Sequence, residues 1–225
     1  MRVEAHAKLT RSLRVVGVRA DGYHLIDAEM VALDLHDTLD IADGDNDLAP
    51  DNLVSKALAA VGRSAHVELT KRIPMGAGLG GGSADAAAVL RWAGCRDLAL
   101  AASIGADVPF CLVGGRARVQ GIGEVVEPLA FVALELTLLT PPLHVSTPAV
   151  YRAWDDMGGP RSPGPNDLEP AALAVEPRLA EWRDRLGDAT GVTPVLAGSG
   201  GTWFVEGAFE VEGAVVARTV PADEG

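Results

Sequence analysis

The stretch that most constrains this chain is PMGAGLGGGSADAA at residues 74–87, which places five glycines within residues 76–82 and runs directly into alanine-rich sequence. Apolar Val67, Leu69 and Ile73 lead into it with strand spacing, and Pro74 closes that strand. A helix is expected over residues 83–92, capped by the Ser83 hydroxyl. The order is therefore strand, glycine loop, helix. Such a junction suits an anion, because unpaired backbone N–H groups and the positive end of the helix dipole meet there, and glycine lets the backbone approach closely. The same order is also satisfied by a plain tight turn.

Gly76, Gly78 and Gly81 fit a G-x-G-x-x-G pattern, which alone does not choose between phosphate-binding folds. The residues before it do narrow the choice. Val3, Ala5, Ala7 and Leu9, then Leu13 and Val15, alternate with polar neighbours, and so do Val31, Leu33, Leu35, Leu39 and Ile41. Between the two runs Asp21-Gly22 marks a hairpin tip. One-sided antiparallel strands of this kind are not the buried parallel opening of a dinucleotide-binding fold. A Walker A loop is excluded because the chain has no Gly-Lys pair, and a protein kinase because Ser83 occupies the valine position and no HRD or DFG follows.

Further along, the acidic run at 43–47 fails as a calcium loop, with Leu48 and Val54 where Gly and Glu are needed. Asp51 or Asn52 caps a short helix over 53–61, and another helix spans 98–104 up to Gly105. The texture changes near residue 126. There follow an apolar strand over 131–139, helices over 148–157 and 167–185, a mobile Pro/Gly connector at 158–165, a glycine turn at 198–201, strands at 202–205 and 214–220, and a fraying tail at 221–225. The expected division is an N-terminal unit over 1–126 and a C-terminal α+β unit over 127–225.

A net charge of −12 and a pI near 4.8 argue against a nucleic-acid partner. No window is apolar enough for a membrane span or a leader, so a cytoplasmic protein is expected. Cys95 and Cys111 lack metal spacing and read as reduced thiols.

The glycine run resembles the second conserved motif of the GHMP kinases. Ala7-Lys8, RADGYH at 19–24, GADVP at 105–109 and NDLE at 166–169 resemble, in the same order, the diphosphocytidyl-methylerythritol kinases within that superfamily. Taken singly, Lys8 reads as a solvated strand lysine, Asp107 as a turn acid, and Asn166 or Asp167 as a helix cap. Independent structural needs do not supply all of these segments in one order.

The resemblance implies an α+β GHMP kinase fold, with an N-terminal unit like domain 2 of ribosomal protein S5 and a C-terminal ferredoxin-like unit. It implies ATP and Mg²⁺, a small cytidine-containing alcohol as substrate, and a monomer or homodimer. By the same resemblance Asp107 takes the proton of the attacking hydroxyl and Lys8 orients that hydroxyl. Pro74, Gly76, Gly78, Leu79, Gly80, Gly81, Gly82 and Ser83 surround the ATP phosphates, and Asn52 and Lys71 serve the adenine. Tyr23 and Tyr151 sandwich the cytosine, His24 meets its edge, and Thr147 lies near the substrate, with Gly198, Ser199, Gly200 and Gly201 resembling the third superfamily motif. Ser83 and Asp85 are the candidates for the metal, Asp85 equally serving the helix N-terminus. Thr10 stands where the family has Asn, Met30 where an aromatic is expected, and residues 91–103 are shorter than usual. Two alternatives stay open: a GHMP kinase for another small alcohol, and a noncatalytic nucleotide-binding homologue.

Overall fold

The computed structural model describes residues 1–222; the last part of the tail expected to fray, 223–225, lies outside the described residues. Two long strands, β1 (Arg2–Val18) and β2 (His24–Ala42), form the hairpin read from the alternating pattern, with Asp21-Gly22 in the turn and Gly22 at φ +86°. After α1 (Leu53–Ala60), β3 (His66–Thr70) pairs with the far half of β2. The glycine loop leads into α2 (Gly81–Trp92), followed by α3 (Leu98–Ile104) and α4 (Val108–Val113). Strands β4 (Arg116–Gly121) and β5 (Val125–Leu129) complete the first sheet, in the order β1-β2-β4-β5 with β3 on β2. All its pairings are antiparallel.

The second sheet holds β6 (Glu135–Leu139), β7 (Val195–Leu196), β8 (Trp203–Glu206) and β9 (Ala214–Arg218), in the order β7-β8-β6-β9. Helices α5 (Thr147–Asp156), α6 (Glu169–Val175) and α7 (Leu179–Thr190) accompany it. The expected division at 126/127 falls inside β5, and residues 130–134 link the two sheets.

Alanine in α2 has a packing purpose. Ala84, Ala86, Ala87 and Ala88 are buried with Val89 and Leu90, so the helix axis approaches the sheet closely. One core runs on from there through Leu9, Leu33 and Leu39 to Leu136, Leu139 and Trp203 of the second sheet.

Several local expectations change. Helix α2 begins at Gly81 on a left-handed Gly80, so Ser83 lies inside its first turn and does not cap it. Strand β3 stops at Thr70, and Ile73 is buried in the loop. Phe131 and Val132 are exposed ahead of β6, which starts only at Glu135. The single helix expected over 167–185 is two, broken where Pro177 cannot continue the hydrogen-bond ladder. The connector at 158–165 is pinned rather than loose: Trp154 Nε1 donates to Pro160 O at 3.0 Å, and Ser162 N donates to Asp167 Oδ1 at 3.0 Å.

Candidate active site

The glycine loop is built on a buried acid. Asp37, in the second half of β2 and fully buried, accepts the N–H groups of Arg72 at 2.5 Å and Ile73 at 2.8 Å as the chain leaves β3. Lys71 donates to Asp37 and, at 2.6 Å, to Asp85 Oδ2 on α2. Burial raises the Asp85 carboxyl to about 6 against the opposing pull of Lys71. Burial works against the Lys71 charge as well, but its bonds to Asp37 and Asp85 prevail and raise it. Asp85 Oδ1 is buried without a hydrogen-bond partner.

Above this base the loop lines a cavity of about 160 Å³ together with Lys71, Ile73 and Pro74. Gly76, Gly78 and Gly80 take φ of +73°, +75° and +70°, the alternation that turns successive amides into an anion-binding concavity. Two of these glycines are also required by space. A Cβ on Gly78 would sit 2.6 Å from Gly200 O, and one on Gly80 2.7 Å from Lys8 Cγ. Buried Leu79 holds the loop to β1 by accepting Lys8 N–H at 3.0 Å, and Thr202 Oγ1 holds it to the second unit by donating to Ala77 O at 2.8 Å. No side chain caps α2, so its first amides remain for an anion.

Lys8 is buried, and its Nζ reaches Asp107 Oδ2 at 3.3 Å and Thr10 Oγ1 at 3.3 Å. Asp107 occupies the N-cap position of α4 yet makes no capping bond, so its carboxylate faces Lys8 with 34% of the side chain exposed. The pair thus joins β1 to the start of α4 beside the loop. Thr10 is buried, and Met30 lies across from it in the sheet core.

Of the residues read as cytosine-binding, His24 and Tyr151 meet. Their ring centroids are 4.6 Å apart, Trp154 packs edge-on to His24, and His24 Nε2 lies 2.8 Å from Asp155 Oδ1. Burial, and then the charge of Asp107, push the Tyr151 hydroxyl up to about 12. Tyr23 is 60% exposed, with the Arg19 guanidinium 6.0 Å from its ring centroid. Thr147 Oγ1 lies 2.7 Å from Ser199 Oγ. Asn52 caps α1 by accepting from Val54 N at 2.9 Å.

Sequence reasoning missed one buried residue that assembles this site, Asp37, and left the role of another, Asn166, open between a motif residue and a helix cap. Asp37 looked like one more polar residue of an alternating strand, and nothing marked it out before Lys71 and the β3 exit were seen to converge on it. Asn166, known only from its motif, donates to Leu196 O at 2.8 Å and Gly198 O at 2.7 Å and accepts from Leu168 N, fixing the 198–201 turn. Asp167 beside it accepts from Arg14 and Val15 of β1. Both cysteines are free, and burial followed by the Asp107 charge raises Cys111 to about 12, leaving it an unreactive thiol.

Residues 52–115 match the GHMP kinases N-terminal domain. The chain is 39% identical over 240 residues to a 4-diphosphocytidyl-2-C-methyl-D-erythritol kinase of Paracoccus denitrificans (strain Pd 1222), covering 90% of this chain and 85% of the relative. A crystal structure of a 4-(cytidine 5'-diphospho)-2C-methyl-D-erythritol kinase is similar with a TM-score of 0.78 and 32% identity, covering 97% of this chain and 99% of that one. The Methanococcus jannaschii mevalonate kinase shares the fold at a TM-score of 0.61 and 12% identity, over 98% of both chains. With its glycine loop, its Lys8–Asp107 pair and these relatives, the chain belongs to the 4-diphosphocytidyl-2-C-methyl-D-erythritol kinase family of the GHMP kinases.

Proposed function

We propose that this chain transfers the γ-phosphoryl group of ATP to the 2-hydroxyl of 4-diphosphocytidyl-2-C-methyl-D-erythritol, a step of the methylerythritol phosphate route to isoprenoid precursors. The observation that carries the reading is the 3.3 Å pair of Lys8 and Asp107 at the edge of the glycine loop. Phosphoryl transfer asks an enzyme mainly to position the acceptor and to neutralise charge. Asp107 takes the hydroxyl proton as the oxygen attacks, and Lys8 fixes that oxygen and offsets its developing charge.

The loop amides and the α2 N-terminus hold the ATP phosphates, while Asn52, whose Oδ1 is spent on its cap, turns its amide N–H₂ to the adenine. Lys71 supports the loop from beneath through Asp37 and Asp85 rather than acting only on the base. When bound, Mg²⁺ supplies charge neutralisation at the phosphates. Ser83 and Asp85 would hold it, and the partnerless buried Asp85 Oδ1 is an atom that fits a cation or its water. His24 and Tyr151 present a paired aromatic surface to the cytosine, with Tyr23 closing over it from the hairpin.

A cytoplasmic location accords with the reaction, and among the described residues no helix is long and apolar enough to cross a membrane. The test is ADP release with ATP and Mg²⁺, offering the cytidine substrate, mevalonate, homoserine and galactose in turn. Turnover confined to the cytidine substrate is expected. Turnover on another alcohol would overturn the substrate, and none on any would favour a noncatalytic homologue.

A further inference from the structure

Away from the glycine loop, one cluster of metal-ligating side chains among the described residues stands on the first sheet. Along the β1–β2 ladder His6 faces His36 and Lys8 faces Ala32, so Leu33, Asp34 and Leu35 oppose Ala7 alone. This bulge takes backbone groups of β2 off the ladder. Two of its carbonyls are met by imidazoles: Leu33 O lies 2.9 Å from His6 Nδ1, and Asp34 O 2.6 Å from His36 Nδ1. A carbonyl only accepts, so each Nδ1 carries the hydrogen, and in the neutral tautomer that this fixes the lone pair is on Nε2. Both Nε2 atoms turn to one carboxylate, His6 at 3.6 Å from Glu4 Oε2 and His36 at 3.6 Å from Glu4 Oε1. The ligand atoms of the three residues lie within 4.8 Å of one another.

We propose that Glu4, His6 and His36 bind one divalent transition-metal ion of the zinc class, with water completing its coordination. Two imidazoles and a carboxylate form a zinc-type donor set, whereas Mg²⁺ prefers oxygen ligands. Donors at about 2.0–2.1 Å around a tetrahedral ion stand roughly 3.3 Å apart. The observed 3.6 Å separations need only a small turn of the Glu4 side chain, which is 57% exposed. The Nδ1 bonds to the bulge carbonyls supply the outer support that fixes ring orientation and tautomer in metal sites. Arg91 donates to the backbone carbonyl of Glu4, at 3.3 Å. A bound ion ties β1 to β2 across the bulge, just ahead of Lys8 on the same strand.

The test is a Co²⁺ titration of the full chain after chelator treatment, with excess Mg²⁺ present, followed by visible absorption and then by displacement with Zn²⁺. One Co²⁺ per chain, displaced by Zn²⁺, is expected. His36→Gln and Glu4→Gln should each weaken binding about tenfold or more, while His144→Gln, at an exposed position outside the cluster, should not. In the wild-type chain, Zn²⁺ should shift the Nε2 resonances of His6 and His36 in long-range ¹H–¹⁵N spectra, a readout independent of whether any variant folds. No stoichiometric binding, or zinc shifts confined to other histidines, would overturn the site.

Discussion

Lys8 Nζ lies 3.3 Å from Asp107 Oδ2, although one residue comes from the first strand and the other from the start of the fourth helix. The glycine loop passes close over the Lys8 side chain of this pair, and Gly80 permits it. Replacing Gly80 with Ala would set a Cβ 2.7 Å from Lys8 Cγ at a φ of +70°. The expected outcome is a stability loss of about 1–3 kcal/mol in chemical denaturation. Because the displaced side chain is Lys8, kcat should fall more than the residual stability explains.

Tyr23 offers the opposite case, an aromatic ring with little to do in the free fold. At 60% exposure it buries little. Tyr23→Ala is therefore expected to leave the melting temperature unchanged while weakening the cytidine substrate by about 1–3 kcal/mol, the scale of base–aromatic stacking. Calorimetric titration checks it; unchanged affinity would remove the ring from the pocket.

Asp85 ties stability to pH. Its carboxyl is raised from 3.8 to about 6 by burial, so between those values the folded chain holds a proton that the unfolded chain has released. Stability therefore falls as pH rises through that window. Asp85→Asn removes the dependence: it should match the wild type near pH 4 and exceed it by about 1–3 kcal/mol at pH 7.5. Urea unfolding at the two pH values reads this directly, and a variant destabilised at pH 7.5 would contradict it.

Asn166 joins three backbone partners from full burial. Asn166→Ala leaves the carbonyls of Leu196 and Gly198 without that donor, so a loss of roughly 3 kcal/mol is expected from thermal or chemical unfolding. A change below half that would mean the 198–201 turn is held by other contacts.

Much of this was legible because it depended on local pattern. The hairpin at Asp21-Gly22, the cap at Asp51 or Asn52, which the structure assigns to Asn52, and the helix ending at Gly105 follow from turn and cap chemistry that a short window contains. The motif residues Lys8, Asp107 and the glycines could be singled out because their order, more than any one of them, is distinctive. What escaped depended on distant convergence. Asp37 is marked out only by the convergence of Lys71 and the Arg72 and Ile73 amides on it. Ser83 lost its capping role because Gly80, free to adopt the left-handed conformation, starts the helix two residues earlier. The apolar run from Phe131 had strand composition but no partner strand until Glu135, so its first residues remain at the surface.

The most direct test of the central claim is a single-turnover measurement on Asp107→Asn, in which the carboxylate near Lys8 becomes an amide of almost the same shape. With ATP, Mg²⁺ and the cytidine substrate, phosphoryl transfer should slow about 10²- to 10⁴-fold, the range for losing a general base, while ATP affinity stays close to that of the wild type. Transfer at the wild-type rate would contradict the role assigned to Asp107.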